Sequence, residues 1–220
     1  VDGQWSQTVF RPIIDLRERN KSAKDIFFAL PKLDECVHML KGAKCFAAGD
    51  KVKGYFQVLL DAKARQYMAF VCPLGVYEYC RLPMGYKNSA AWFQRCLQKI
   101  LEKLIYQGLI QYIDDTLLYG RNEDELLDRL EEYFDILLKH NVKLHPGKFV
   151  LYSEDLAWCG KSVSADGIRP TEESIATALN VPDPETLSEL MSYVYGVAWF
   201  RSHLPRFAEV AAPLYDLWKD

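Results

Sequence analysis

A chain of 220 residues, half of them hydrophobic and 26% charged, is long enough for one large or two small domains with a buried core and excludes a disordered or low-complexity protein. No apolar run approaches the roughly 18 residues of a membrane-spanning helix, and the polar start VDGQWSQT lacks a signal peptide's apolar stretch, so a soluble protein with no membrane partner is expected. The net charge of −3 argues against a strongly basic nucleic-acid binder, but residues 1–110 hold 17 Lys+Arg and 10 Asp+Glu, a net +7, and the remainder 10 and 20, a net −10.

In chain order, Phe10 to Asp15 reads as a short strand, and RERNKSAKD after it as a charged turn. Leu33 to Leu40 has helical apolar spacing and stops at Gly42. Lys44 to Asp50 reads as a buried strand ending in an acid. Arg65–Cys72 and Val76–Cys80 flank Pro73-Leu-Gly75 as a hairpin. A helix is expected from Ser89 to Tyr106, with Trp92, Phe93, Cys96, Leu97, Ile100 and Leu104 on one face. Leu109 to Tyr119 forms two apolar half-strands around an acidic pair, and Asn122 to His140 an amphipathic helix with an acidic first turn. Ala157 to Ser164 reads as one strand closed by a turn at Asp166-Gly167. From Thr171 the pattern is helical, interrupted at Pro182, Pro184 and Pro205, which sets a boundary near 167–171. Six cysteines without C-x-x-C spacing and four dispersed histidines argue against a zinc site or a disulfide framework and fit an intracellular setting.

Asp114-Asp115 is the informative pair. A two-residue hairpin turn favours Asn-Gly or Asp-Gly because it requires positive φ, yet Asp-Asp-Thr has no glycine, and adjacent like charges between buried half-strands repel. Either these are solvated acids at a loop tip or something compensates them. Asp50 also ends a buried strand. If the two strands are neighbours in one sheet, three carboxylates converge at its edge, a set of hard oxygen ligands suited to Mg²⁺.

At these residues the chain resembles reverse transcriptases, in particular those of gypsy-type long-terminal-repeat retrotransposons and retroviruses. Tyr112-Ile-Asp-Asp115 resembles their active-site box. In the same order, Arg11-Pro-Ile-Ile-Asp-Leu-Arg17 with Asn20-Lys21 is similar to the fingers segment, and Asp50 followed by Gly54-Tyr55 to the first catalytic motif. Leu82-Pro-Met-Gly85, Asn88-Ser89 and Phe93-Gln94 match the second. Val142 to Lys148 resembles the segment after the active site, and Trp158-Cys-Gly160 occupies the place of the primer grip. Ser164 to Pro170 and Phe207 to Leu214 resemble the stretch leading towards a ribonuclease H domain.

The resemblance implies a right-hand polymerase of α/β (α+β) class. Residues 1–166 would form partial fingers and a palm with an antiparallel sheet, and 167–220 a helical thumb- or connection-like part. It implies an RNA-directed DNA polymerase, a nucleotidyltransferase acting on an RNA/DNA template-primer and a deoxynucleoside triphosphate with two Mg²⁺ or Mn²⁺ ions held by Asp50, Asp114 and Asp115. Arg11 would hold the triphosphate, or be a solvated strand-edge arginine. Tyr55 would exclude a ribose 2′-hydroxyl, or be a core aromatic. Met84 and Gly85 would lie against the incoming nucleotide, and Lys148 would neutralise the leaving pyrophosphate or contact a backbone phosphate. Trp158, Cys159 and Gly160 would place the primer end, with packing as the rival role for Trp158. Lys87 and Gln94, with the helix bearing Arg95, Lys99 and Lys103, would track the template, or be a plain solvated face.

The chain departs from the family at Lys51-Val-Lys-Gly54, where an apolar residue more often follows the aspartate, and at Ala90, which replaces a common proline. No protease, ribonuclease H or integrase signature is read. The expectation is therefore a polymerase core of a longer polyprotein, in an element particle or the nucleus, with a domesticated, non-catalytic nucleic-acid or protein-binding scaffold as the alternative.

Overall fold

The structure, a computed structural model, describes residues 14–28, 30–36 and 38–218. A charged helix α1 (Arg17–Ser22) opens it, followed by a helical turn α2 (Leu33–Cys36) and the strand β1 (Cys45–Asp50). A 3₁₀ turn (Gly54–Gln57) and helix α3 (Ala62–Gln66) lead to the hairpin β2 (Ala69–Cys72) and β3 (Gly75–Glu78). Helix α4 (Ser89–Ile100) precedes β4 (Leu109–Tyr112) and β5 (Asp115–Gly120), and the long helix α5 (Glu123–Lys139) returns the chain to β6 (Val150–Ser153). Three short strands follow, β7 (Asp155–Trp158), β8 (Lys161–Ser164) and β9 (Gly167–Pro170). Helices α6 (Glu172–Leu179), α7 (Leu187–Ala198) and α8 (Phe207–Asp216) close the chain.

The central sheet has the order β4-β5-β1-β6, with every pairing antiparallel. Its alternating side chains build two cores because successive strand residues point to opposite faces. On one face Cys45, Ala47, Leu109 and Leu118 pack against Phe93 and Leu97 of α4 and Leu126, Leu130, Tyr133 and Leu137 of α5. On the other, Phe46, Ala48, Ile110 and Leu117 meet Leu156, Trp158 and Val163 of the three-stranded sheet together with Cys36 and Leu40. The sheet is therefore clamped on both sides, and its strand ends are fixed to the precision of a packed core.

Several elements differ from expectation. RERNKS is helical, with a Lys21–Glu18 ion pair of 2.7 Å one turn apart. The Leu33–Leu40 helix reduces to Leu33–Cys36 followed by turns. Helix α4 stops at Ile100 rather than Tyr106, because Tyr106 and Gly108 adopt positive φ and turn the chain back into β4. Leu101 and Leu104 stay buried, so the apolar spacing runs on past the helix end. Ala157–Ser164 is not one strand but parts of two, β7 and β8, joined by a turn at Cys159-Gly160. Strand β6 was not anticipated at all. The strand expected over Phe10–Asp15 falls mostly outside the described residues. Helices α6 and α7 start at threonine caps: Thr171 accepts from Ser174 N, and Thr186 forms a capping box with Glu189.

Candidate active site

The antiparallel register places Asp50, the last residue of β1, directly across from Asp115, the first of β5. Like charges opposed on neighbouring strands repel. Asp114 sits beside them in the β4–β5 turn, whose two loop residues, Ile113 and Asp114, connect the paired Tyr112 and Asp115. Ile113 has φ +51°, an unfavourable conformation for a β-branched residue.

That turn is held from within the core. Gln94 accepts from Ile113 N through Oε1 at 2.6 Å and donates from Nε2 to Gln111 O at 2.8 Å. Gln111 Nε2 donates to Ile113 O at 2.6 Å and Asp115 O at 3.0 Å. Gln94, expected on the template side, is fully buried in this structure and spends both amide atoms on the turn. Helix spacing explains this. Gln94 lies next to Phe93 and three residues before Leu97, on the stripe that packs against the sheet.

The electrostatics are those of a crowded acidic site. Asp114 is pushed above the usual carboxylate range by burial first, then by Asp50 and Asp115, with Lys51 opposing. Its Oδ1 is buried without a hydrogen-bond partner. Asp115 is raised by burial and by Asp50, and lowered by Cys159, Lys51 and Lys148. Lys148, on a 3₁₀ turn (Pro146–Lys148), pairs with Asp50 Oδ2 at 3.0 Å, and Cys159 Sγ donates to Asp115 Oδ2 at 3.6 Å. In this side-chain arrangement no group of three His, Cys, Asp or Glu among the described residues is placed to hold a metal ion. The donor set nonetheless fits one: three repelling carboxylates, one with an orphaned buried oxygen, need a cation, and hard oxygens suit Mg²⁺ or Mn²⁺. In this structure Lys148 and Cys159 engage Asp50 Oδ2 and Asp115 Oδ2.

The other expected residues divide. Tyr55 is half-buried, edge-on to Phe93 with ring centroids 5.4 Å apart, and its hydroxyl titrates above the usual range through burial and Asp114. It stands beside the acids while packing on the core. Gly85 is exposed at φ +87°, a conformation that favours glycine, and Met84 before it is half-buried. Asn20 braces this turn by donating to Gly85 O at 2.9 Å and accepting from Lys87 N at 2.9 Å. The Lys87 ammonium is paired with Asp25 at 2.8 Å, whereas Arg95, Lys99 and Lys103 are exposed. Trp158 is buried in the second core; Cys159 and Gly160, at φ +49° and +74°, form the turn that reaches Asp115. Arg11 lies outside the described residues.

Sequence reasoning missed Gln111, Thr116 and Tyr133 and read Lys51 only as a departure from the family; together they form a buried polar network beneath the turn. A glutamine inside the apolar run Leu109-Ile-Gln-Tyr and a lysine directly after a buried strand were the available signals.

Residues 5–172 match the family model for reverse transcriptase (RNA-dependent DNA polymerase). The chain belongs to this family. Two relatives of this reverse transcriptase chain, both from Drosophila melanogaster, are the Retrovirus-related Pol polyproteins from transposon 297 and from transposon gypsy. The first is 28% identical over 96% of the chain and the second 27% over 95%, which supports the gypsy-type reading. The chain spans 20% of the length of each. Among solved structures, the foamy viral protease-reverse transcriptase dRH in complex with double-stranded DNA superposes with a TM-score of 0.85 and 26% identity, covering 94% of the chain and 36% of that protein. The foamy viral protease-reverse transcriptase in complex with an RNA/DNA hybrid gives 0.79 at 26%, covering 93% and 28%. The fold is therefore that of a retroviral-type polymerase. No helix among the described residues is long and apolar enough to cross a membrane.

Proposed function

We propose that this chain is an RNA-directed DNA polymerase, in which the 3′-hydroxyl of a primer paired to an RNA template attacks the α-phosphorus of a deoxynucleoside triphosphate and pyrophosphate leaves. The observation that carries this reading is the convergence of Asp50, Asp114 and Asp115 at one end of the core sheet, with an unpaired buried oxygen on Asp114. Those three would hold two divalent cations, Mg²⁺ or Mn²⁺, which when bound lower the pKa of the attacking hydroxyl and neutralise charge on the leaving group.

The remaining residues position and neutralise. Lys148, once released from Asp50, meets the negative charge of the leaving pyrophosphate. Tyr55, wedged between Phe93 and the acids, lies under the sugar and leaves no room for a 2′-hydroxyl. Gly85 and Met84 let the backbone approach the nucleotide, and Arg11 contacts the triphosphate. The Cys159-Gly160 turn aims the primer end at Asp115. Lys87, Arg95, Lys99 and Lys103 line the template side. The whole protein would carry further polyprotein domains, such as ribonuclease H and integrase, beyond this chain.

Primer extension on an RNA template with Mg²⁺ or Mn²⁺ tests the reading. Extension is expected, and Asp114→Asn is expected to lower its rate on the order of 10³-fold while leaving template-primer binding nearly unchanged. Binding without extension under either cation overturns it in favour of a non-catalytic scaffold. Extension confined to DNA templates overturns the RNA-directed part.

A further inference from the structure

A polar cavity of about 380 Å³ opens at the far end of the central sheet, where β5 finishes at Tyr119 and Gly120. The strand runs from Asp115 to Gly120, so about 17 Å separate this cavity from the acids. Lys41, Arg121 and Arg129 bring three cations to its lining, against one carboxylate among the described residues, Glu125. The other acids in the first turn of α5, Glu123 and Asp124, do not line it. A chain of net charge −3 thus gathers an excess of positive charge in one hollow.

Arg129 is fixed in place. Its guanidinium donates to Tyr119 O and to Glu125 Oε1, and its central carbon lies 5.5 Å from the centroid of the Tyr119 ring. A Cβ on Gly108 would collide with Arg129 Nε, so the glycine leaves the space that the guanidinium fills. Glu125 is spent on this arrangement, because its other oxygen, Oε2, accepts from Arg121 N at 2.7 Å. The side chains of Lys41 and Arg121 are exposed and make no hydrogen bond or ion pair among the described residues. The lone acid therefore offsets Arg129, and two cations remain for a group from outside.

We propose that this cavity is a second nucleotide site, which takes the phosphate of a nucleoside monophosphate on Lys41 and Arg121 beside Arg129 and its base on Tyr106. Two unpaired cations next to a fixed guanidinium suit a dianionic phosphate. A bare phosphate would leave most of the volume empty, whereas a mononucleotide fills it. Tyr106 lines the cavity with 48% of its surface exposed and offers a ring face to a base. The Gln107 side-chain amide beside it supplies a donor and an acceptor for the base edge. A free mononucleotide and the 5′-phosphorylated end of a DNA strand present the same chemistry. The site uses none of the three acids and stands apart from the polymerase reading.

The test is isothermal titration calorimetry of the chain with deoxyadenosine 5′-monophosphate, with EDTA present so that no metal assembles a site on the acids. A Kd on the order of 0.1–1 mM is expected, with deoxyadenosine at least about tenfold weaker. The double variant Lys41→Gln, Arg121→Gln changes two exposed side chains; folded by circular dichroism, it is expected to bind the monophosphate at least about tenfold more weakly than the parent. Tyr106→Ala is expected to lose roughly fivefold for the monophosphate and nothing for inorganic phosphate. Asp114→Asn is expected to bind as the parent does. A parent that does not bind, or a double variant that binds like the parent, overturns the proposal, and loss of binding in Asp114→Asn overturns it by placing the nucleotide at the acids. Inorganic phosphate binding as tightly as the monophosphate overturns the nucleotide part. A 5′-phosphorylated oligonucleotide that binds more tightly than its 5′-hydroxyl counterpart, with the gain lost in the double variant, supports the site and assigns it to strand ends; equal binding of the two supports it as a site for the free mononucleotide.

Discussion

Two tight hairpins meet at Asp115, and they solve the same backbone problem in opposite ways. The β7–β8 turn, Cys159-Gly160, has positive φ at both loop residues, as a type I′ turn requires, and glycine takes one of those positions. The β4–β5 turn, Ile113-Asp114, has no glycine and puts isoleucine at φ +51°, a conformation that costs about 1–3 kcal/mol. The first turn carries its own conformational solution in its residues. The second spends its residues on the acid and imports its support, two buried glutamines that bond the Ile113 backbone on both sides. A turn that carries an acid for chemistry is thus specified by side chains distant in sequence.

Breaking the imported support has the larger expected effect. Gln111→Ala removes the side-chain donor to Ile113 O and leaves Lys51 with Thr116 alone, and is expected to cost about 2–4 kcal/mol in urea unfolding, because buried polar groups lose partners. The rate of primer extension should fall at least about tenfold with it, since Asp114 and Asp115 lose their fixed positions. Gly160→Ala tests the self-sufficient turn. The new Cβ finds no neighbour closer than the Trp199 ring at 4.0 Å, so only the positive φ resists it, at about 1–2 kcal/mol. If Gly160→Ala proves the costlier of the two, the contrast between the hairpins is wrong.

That contrast also explains what was legible in the sequence. The meeting of Asp50 with Asp115 could be read because each acid ends an apolar run, and strand ends in one sheet lie close together. The β4–β5 hairpin was visible as half-strands around a polar break, and the missing glycine announced that something must compensate. What compensates was not visible: Gln94 and Gln111 are polar residues inside apolar stretches, and one sequence gives no pairing between position 94 and position 113. The β7–β8 turn failed for the opposite reason. Cys-Gly is not a strong turn signal, and Ala157-Trp158 before it with Val163 after it read as one continuous strand. Strand β6 is largely exposed and paired only along an edge of the sheet, so it lacks the alternation that marks a half-buried strand. The RERNKS helix buries nothing, which removed the periodicity that would have revealed it.

The smallest expected effect concerns the cost of the acid in the unsupported turn, and its sign follows from the titration of Asp114. Its carboxyl sits above the ordinary aspartate value in the folded chain, chiefly through burial. Between that value and the raised one, the folded state binds more protons than the unfolded state. The destabilisation by ionised Asp114 is therefore fully present at neutral pH and is relieved as pH falls through the raised value. Asp15, held at about 2 by Arg17, and Glu189, lowered by backbone N–H groups, act in the opposite sense, so the total pH profile of the parent does not isolate the acid. A difference does. In the absence of metal, Asp114→Asn is expected to melt roughly 1–3 °C above the parent at pH 7.5 by circular dichroism. That advantage should shrink towards pH 4. Added Mn²⁺ should reverse the order, because the parent alone retains the full acid set and is stabilised by mass action. An advantage that stays constant between pH 7.5 and 4 would mean that the asparagine stabilises by packing, and that the orphaned Asp114 oxygen carries no electrostatic cost.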